Sequence, residues 1–284
     1  MKTRIVAAAV LIPVLLLLVL VAPTYLAAVV MGLLLAIGSY EMLYRTRLVQ
    51  HPRLVIYSSV MAFAIALWSH YESLHAWFLL IVMVFWIALF AELMRDHVKV
   101  RFEMLGMCIL SGLIVPYLLS SLIRILTMEL GRYMILVPFI VAFMSDAGAY
   151  FVGIKFGRHK LAPVVSPNKT IEGLGGGFAG AMVGMLIYAL ILDLIPGGFR
   201  VNYGLALLYG ILGSAAGTFG DLCFSVIKRQ TGIKDYGNLI PGHGGVLDRF
   251  DSLVMVAPLM EALVLLMPFA KYAGGRIVHV LPSS

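Results

Sequence analysis

Between positions 221 and 251 the sequence gathers Asp221, Ser225, Lys228, Arg229, Lys234, Asp235, His243, Asp248, Arg249 and Asp251, in a chain of which only 12% is charged. Asp221, Ser225 and Lys228 stand at i, i+4 and i+7, so they share one face of a helix, with Arg229 beside them. An acid one or two turns below two cations suits the meeting of a divalent metal and a phosphate. Mg²⁺ takes one or two carboxylates and completes its shell with phosphate oxygens and water. The run PGHGGVLDRFD supplies a second pole. Gly242, Gly244 and Gly245 let backbone approach a phosphate closely, Pro241 fixes the entry, and His243 can donate to an anion. Asp248 and Asp251, three apart, lie on one side of a helix that begins there and join Asp221 as a candidate metal site. Asp251 reads equally well as a helix cap or an arginine partner.

A second polar stretch, GRHKLAPVVSPNKTIEG, offers Arg158, Lys160, Ser166, Asn168, Lys169 and Thr170 with a single acid, Glu172. A basic loop in a membrane protein ordinarily reports topology and attraction to anionic lipid. The compact SPNKT, with turn-forming Pro167 and Asn168, reads as more ordered than that, and Lys169 as a phosphate ligand. Two acids lie within apolar runs, Asp146 in FMSDAGAYFVG and Asp221 in GTFGDLCFSVIKR. A carboxylate at such depth costs about 2.5–3.5 kcal/mol, so each should face a polar cavity, a cation or a basic partner; a purely structural lysine pair is the plainer alternative. Glu41 and Glu92, at span ends beside arginines, read as solvated, and Asp193 as remote from any chemistry. GGGFAG, residues 175–180, satisfies a dinucleotide-loop spacing, but no strand precedes it; small residues for close helix packing are the better account.

The elements that must position these groups follow from composition. At 62% hydrophobic, the chain has the bilayer as its solvent, and an all-α polytopic membrane protein is expected. Nine spans of about 20 residues can be drawn: 5–22, 24–43, 54–69, 76–94, 104–123, 133–152, 174–196, 203–227 and 252–270. The first, after Met1-Lys2-Thr3-Arg4, could pass for a signal peptide, but the second follows at once and it reads as a retained helix. Sixteen of the 21 Lys and Arg residues fall on one side of this layout, which makes that side and the amino terminus cytoplasmic and the carboxyl terminus external. The same bias explains the basic excess without nucleic acid. Cys108 and Cys223, inside apolar runs, read as small hydrophobes. Connections in the region 1–132 are short; the region 133–284 carries two long cytoplasmic ones, 153–173 and 228–251, and loops of that length are usually functional. No internal repeat of the transporter kind is evident.

With those residues in place, SVIKRQTGIKDYGNLIPGHGGVLDRFDS resembles the signature of the phosphatidate cytidylyltransferase, or CDP-diacylglycerol synthase, family. The matching positions are Ser225, Lys228, Arg229, Lys234, Asp235, Pro241, His243, Gly244, Gly245, Asp248, Arg249 and Asp251. SPNKTIEG is similar to an upstream element of that family, with Asn168 where lysine is common, and Asp146 and Asp221 stand where the family has acids. The resemblance extends over about residues 140–270 and implies transfer of the cytidylyl group of CTP to phosphatidic acid, with release of pyrophosphate, at the cytoplasmic face of a bacterial inner membrane. It further implies Mg²⁺ or a two-cation site on Asp221 and Asp248 with Asp251 and Asp146, and catalytic parts for Lys228 and His243. Substrate contacts are implied for Ser166, Asn168, Lys169, Ser225, Arg229, Lys234, Asp235, Gly244, Gly245 and Arg249, and a homodimer for the assembly. A CTP-dependent enzyme on another lipid or polyprenyl acceptor, such as a lipid kinase, stays open beside it. So does an ion-coupled transporter using Asp146 and Asp221, though that idea leaves the Gly-His-Gly-Gly loop without a purpose.

Overall fold

Apolar runs in lipid must pair every backbone N–H and C=O internally, and this chain does so almost throughout as helices. The computed structural model describes residues 13–71, 74–196, 198–239 and 244–272. Residues 13–20 form α1, and α2 (Thr24–Tyr40) continues into a π-helical turn, Glu41–Arg45. Next come α3 (Pro52–Trp68) and α4 (His75–Arg95). A bent run follows: α5 (Phe102–Ile109), a π-helical turn (Leu110–Ile114), α6 (Val115–Leu119) and α7 (Ser121–Thr127). The short α8 (Gly131–Met134) leads into α9 (Leu136–Phe156), and a hairpin of β1 (Lys160–Ala162) and β2 (Ser166–Thr170) leads to α10 (Ile171–Asp193). The remainder is β3 (Phe199–Val201), α11 (Tyr203–Gln230), α12 (Leu247–Phe250), α13 (Leu253–Leu266) and β4 (Ala270–Tyr272).

Six described segments are long and apolar enough to cross a membrane: Thr24–Arg45, His75–Arg95, Phe102–Thr127, Gly131–Phe156, Ile171–Asp193 and Tyr203–Gln230. The third and ninth expected spans correspond to the shorter apolar helices α3 and α13; of the first, residues 5–12 lie outside the described residues and 13–20 form α1. Strands qualify the all-α expectation. Where 153–173 was expected to be loop, α9 runs on to Phe156 and the rest folds back as the antiparallel β1–β2 pair, Lys160 opposite Thr170 and Ala162 opposite Ser166. Pairing the strands satisfies backbone groups that a bare loop would leave to solvent. Strands β3 and β4 pair likewise, Phe199 opposite Tyr272. Likewise α11 runs on to Gln230 and α12 begins at Leu247, which shortens the 228–251 connection at both ends.

Local sequence explains the helix starts that matter. Thr170 ends β2 and accepts the Gly173 N–H at 3.0 Å, and Asn202 accepts that of Leu205 at 3.0 Å, each side chain taking an N–H that has no partner within its helix. Contact between α9 and α10 runs along glycines. A Cβ built on Gly180 would lie 3.1 Å from the Gly148 Cα, and one on Gly184 would lie 2.6 Å from the Met144 Cγ. GGGFAG is thus a surface for close backbone approach. One large apolar cluster joins α2, α6, α7, α9, α10, α11 and α13, while a smaller one, around Leu54, Ile65, Leu89 and Leu105, holds α3, α4 and α5.

Candidate active site

The two polar connections meet. Lys169, at the end of β2, forms an ion pair with Asp221 of α11, each side chain 27% exposed. The hairpin is tied down on both sides of that contact: Arg229 Nε donates to the Val165 carbonyl at 3.1 Å, and the Glu172 carboxylate accepts the Arg158 N–H at 3.0 Å and the His159 N–H at 3.2 Å. His159 Nδ1 lies 2.6 Å from the same carboxylate. Ser225 Oγ donates to Asp221 Oδ1 at 3.4 Å, so the expected helical face forms, but its lysine turns elsewhere.

Lys228 Nζ sits 3.1 Å from Asp248 Oδ1, 3.9 Å from Asp251 Oδ2 and 5.5 Å above the Tyr236 ring. Asp248 is buried, and its Oδ2 accepts the Tyr236 N–H at 2.8 Å and the Gly245 N–H at 2.9 Å. A carboxylate offers about four lone pairs, and among the described residues these contacts with Lys228 use three, leaving one on Oδ1. Gly244 has φ +87°, and a Cβ there would come within 2.8 Å of Asp248 Oδ2, so glycine is required twice over. Tyr236 is fully buried, donates its hydroxyl to the Phe224 carbonyl at 3.1 Å and stacks edge-on against the Phe224 ring. Burial, with the nearby Asp248 charge, pushes its phenol above the usual tyrosine range, which keeps it a neutral donor.

Asp146 and Lys169 line one cavity, Lys169 pairs with Asp221, and Asp251 has Lys228 as its nearest cation. Asp251 Oδ1 also accepts its neighbour's N–H, from Ser252 at 2.9 Å. A cavity of about 380 Å³ opens beside this group, lined by Ser145, Asp146, Lys160, Asn168, Lys169 and Thr218 with the exposed Tyr150 and Ile154 of α9. Ser166 lies in β2 opposite Ala162, Lys234 and Asp235 are exposed in the segment 231–239, and Arg249 is exposed on α12. His243 lies outside the described residues. Among the described residues no three His, Cys, Asp or Glu side chains come together as a metal cluster.

Glu41 and Glu92 correct the expectation of solvated acids, for both are buried. Glu92 accepts from Arg53 at 3.1 Å and from the Tyr57 hydroxyl at 3.2 Å. Glu41 accepts the N–H groups of Val246 and Leu247, each at 3.1 Å, inside the signature segment. Its only signal in the sequence is an acid at a span end, which solvated carboxylates share. Tyr236 was equally silent, a lone aromatic among polar loop residues.

The sequence pattern of the cytidylyltransferase family matches residues 2–267. Phosphatidate cytidylyltransferase of Staphylococcus haemolyticus is 44% identical over 137 residues, covering 48% of this chain and 51% of that protein. The proteins of the same name from Staphylococcus saprophyticus and Staphylococcus aureus are 43% and 42% identical over 135 residues, covering 48% of this chain and 50% of each relative. The match thus spans about half the length of these curated relatives. With the family pattern running through nearly all of the described helices, the chain belongs to the cytidylyltransferase family.

Proposed function

We propose that the protein transfers the cytidylyl group of CTP to phosphatidic acid, forming CDP-diacylglycerol and pyrophosphate. The observation that carries this reading is the Lys169 and Asp221 contact, which brings the SPNKT hairpin and the signature helix to one cavity. A cavity of about 380 Å³ is within the range of nucleotide-sized sites. Its wall includes apolar, exposed residues of α9, which suits entry of a lipid headgroup from the side while the nucleotide arrives from water.

In this reaction a phosphatidate oxygen attacks the α-phosphorus of CTP and the bond to the β-phosphate oxygen breaks, with pyrophosphate leaving. The attacking phosphate monoester is largely ionised near neutral pH, so no side chain is assigned as general base. Two polyanions must approach, and stabilising their charge is the main task of the site. Lys228, held by Asp248 and the Tyr236 ring, presents a fixed cation, and Lys169 presents another from the hairpin; Arg229, Lys234 and Arg249 would add further positive charge, and His243 a donor, as the signature motif implies. Ser166, Asn168, Ser225, Asp235, Gly244 and Gly245 would line the substrates. The donor set is carboxylate oxygen throughout, the hard type that Mg²⁺ prefers, and Mg²⁺ needs only one or two of them. Asp221 and Asp248 would hold the ion, with Asp146 and Asp251 as the further acids of the proposed site. Bound there, Mg²⁺ supplies charge neutralisation on the phosphate oxygens. Lys169 and Asp221 already face opposite charges, so a phosphate and a metal ion replace like with like.

The reading extends to topology: nine spans, the amino terminus and the active site in the cytoplasm, the carboxyl terminus outside, and residence in a bacterial inner membrane as a homodimer. The basic residues on one side of the layout support that orientation. To test the activity, purified protein in detergent is given phosphatidic acid, Mg²⁺ and CTP labelled in the α-phosphate. Equal amounts of labelled CDP-diacylglycerol and pyrophosphate, stopped by EDTA, are expected. Release of CDP instead would make the enzyme a lipid kinase and end this proposal.

A further inference from the structure

Glu41 is a buried carboxylate that the proposed chemistry does not use, and none of the ion pairs among the described residues includes it. Such a group needs a reason, because burying it without donors is strongly unfavourable. Its donors come from a segment about 200 residues away in sequence: Val246 N–H to Oε1 and Leu247 N–H to Oε2, both at 3.1 Å. The seat is made by glycines. A Cβ on Gly237 or on Gly245 would overlap the Glu41 carboxylate, so the signature loop is cut to its shape. The same π-helical turn ends in Arg45, whose Nη2 donates to Asn238 Oδ1 at 3.2 Å, on the other limb of the loop. Leu247, in turn, packs against α2 at Gly38, where a Cβ would come within 3.2 Å of its Cδ2.

We infer that Glu41, assisted by Arg45, is a positioning residue that clasps both limbs of the loop between α11 and α12 and so sets where Asp248 and Lys228 stand. The path is short and continuous. Glu41 fixes Val246 and Leu247; the adjacent Gly245 N–H fixes Asp248 Oδ2; and Asp248 Oδ1 fixes Lys228. A hydrophobic side chain could fill the same space but could not hold two N–H groups in direction. The clasp therefore gives the amino-terminal helices a part in catalysis, although they supply none of the residues assigned to phosphate or metal. Its kinetic consequence rests on the cytidylyl-transfer reading, whereas its geometric consequence does not.

The test pairs turnover with trypsin cleavage after the exposed Lys234, in Glu41→Ala, Glu41→Gln and Glu92→Gln proteins. Glu92→Gln removes an equally buried carboxylate that bridges α3 and α4 and never touches the loop. Loss of two charge-assisted hydrogen bonds should lower kcat of Glu41→Ala about 100-fold and speed loop cleavage about tenfold. Glu41→Gln keeps one acceptor but turns an amide donor toward the second N–H, so an intermediate loss in both readouts is expected, and it carries the test where the alanine variant does not fold. Glu92→Gln should lower the thermal midpoint and leave kcat and cleavage at Lys234 unchanged. Wild-type cleavage rates in the Glu41 variants, or turnover within twofold of wild type, would overturn the clasp. Absence of cytidylyl transfer by the wild-type protein would overturn the functional reading instead, while the protease arm would still decide the geometry.

Discussion

Two groups of charges are packed inside this membrane protein, and they are built differently. Arg124 on α7 meets Glu261 on α13 in a two-pronged pair, Nε to Oε1 at 2.6 Å and Nη2 to Oε2 at 2.8 Å. Its remaining N–H groups go to Ser69, Ser121 and the Tyr117 carbonyl, and the guanidinium lies 4.6 Å from the Tyr117 ring centre. All five arginine donors are therefore used within the protein. The site at Asp221 uses lysines instead, and the lysine paired with Asp221, Lys169, lines an open cavity together with Asp146 and Lys160. Lysine is a point charge that can exchange partners, whereas the arginine fork is committed to one geometry. A saturated ion pair holds helices together; an ion pair beside a cavity can hand its charges to a ligand.

That contrast predicts opposite outcomes when each group is broken. Asp221→Asn should have the largest effect on chemistry, a fall in kcat of about 1000-fold or more at an unchanged thermal midpoint, because an amide cannot hold the metal ion or balance Lys169. Asp248→Asn should lose comparable activity but also expose the loop to protease, since Oδ2 accepts two N–H groups that an amide nitrogen would repel; activity loss without loop exposure would reduce Asp248 to a ligand alone. Arg124→Ala should reverse the pattern. Leaving the half-buried Glu261 without its partner should cost up to about 3 kcal/mol of stability, read as a lower unfolding midpoint, with kcat of the folded fraction within about twofold of wild type. The smallest effect is expected for Tyr236→Phe, which loses one hydrogen bond to the Phe224 carbonyl, about 1 kcal/mol, and keeps the ring under Lys228. A tenfold or greater loss of kcat there would show that the hydroxyl touches the reaction.

Much of this was legible in the sequence where the signal was local. Runs of apolar residues mark the spans, and the i, i+4, i+7 spacing of Asp221, Ser225 and Lys228 marks a helix face. What local spacing cannot carry is partnership. Lys169 and Asp221 are far apart in the chain, and only the packing of α9, α10 and α11 brings them together. The helix face shared by Asp221, Ser225 and Lys228 does not reveal that Lys228 pairs with Asp248 and Asp251, from the far side of the loop. Glu41 reads as solvated because a span-end acid beside arginines ordinarily is; its burial depends on two N–H groups and two glycines about 200 residues away. The β1–β2 hairpin leaves no signal in the sequence, because strands this short, with prolines at 163 and 167, lack any alternating pattern.

The most direct measurement compares wild-type, Asp221→Asn and Arg124→Ala proteins at equal folded concentration, following the α-phosphate label of CTP into phosphatidic acid. The account predicts labelled CDP-diacylglycerol from the wild type and from Arg124→Ala at similar rates, and none above background from Asp221→Asn. Label transfer by Asp221→Asn at the wild-type rate would contradict it, by showing that the cavity where the two polar connections meet is not where the cytidylyl group moves.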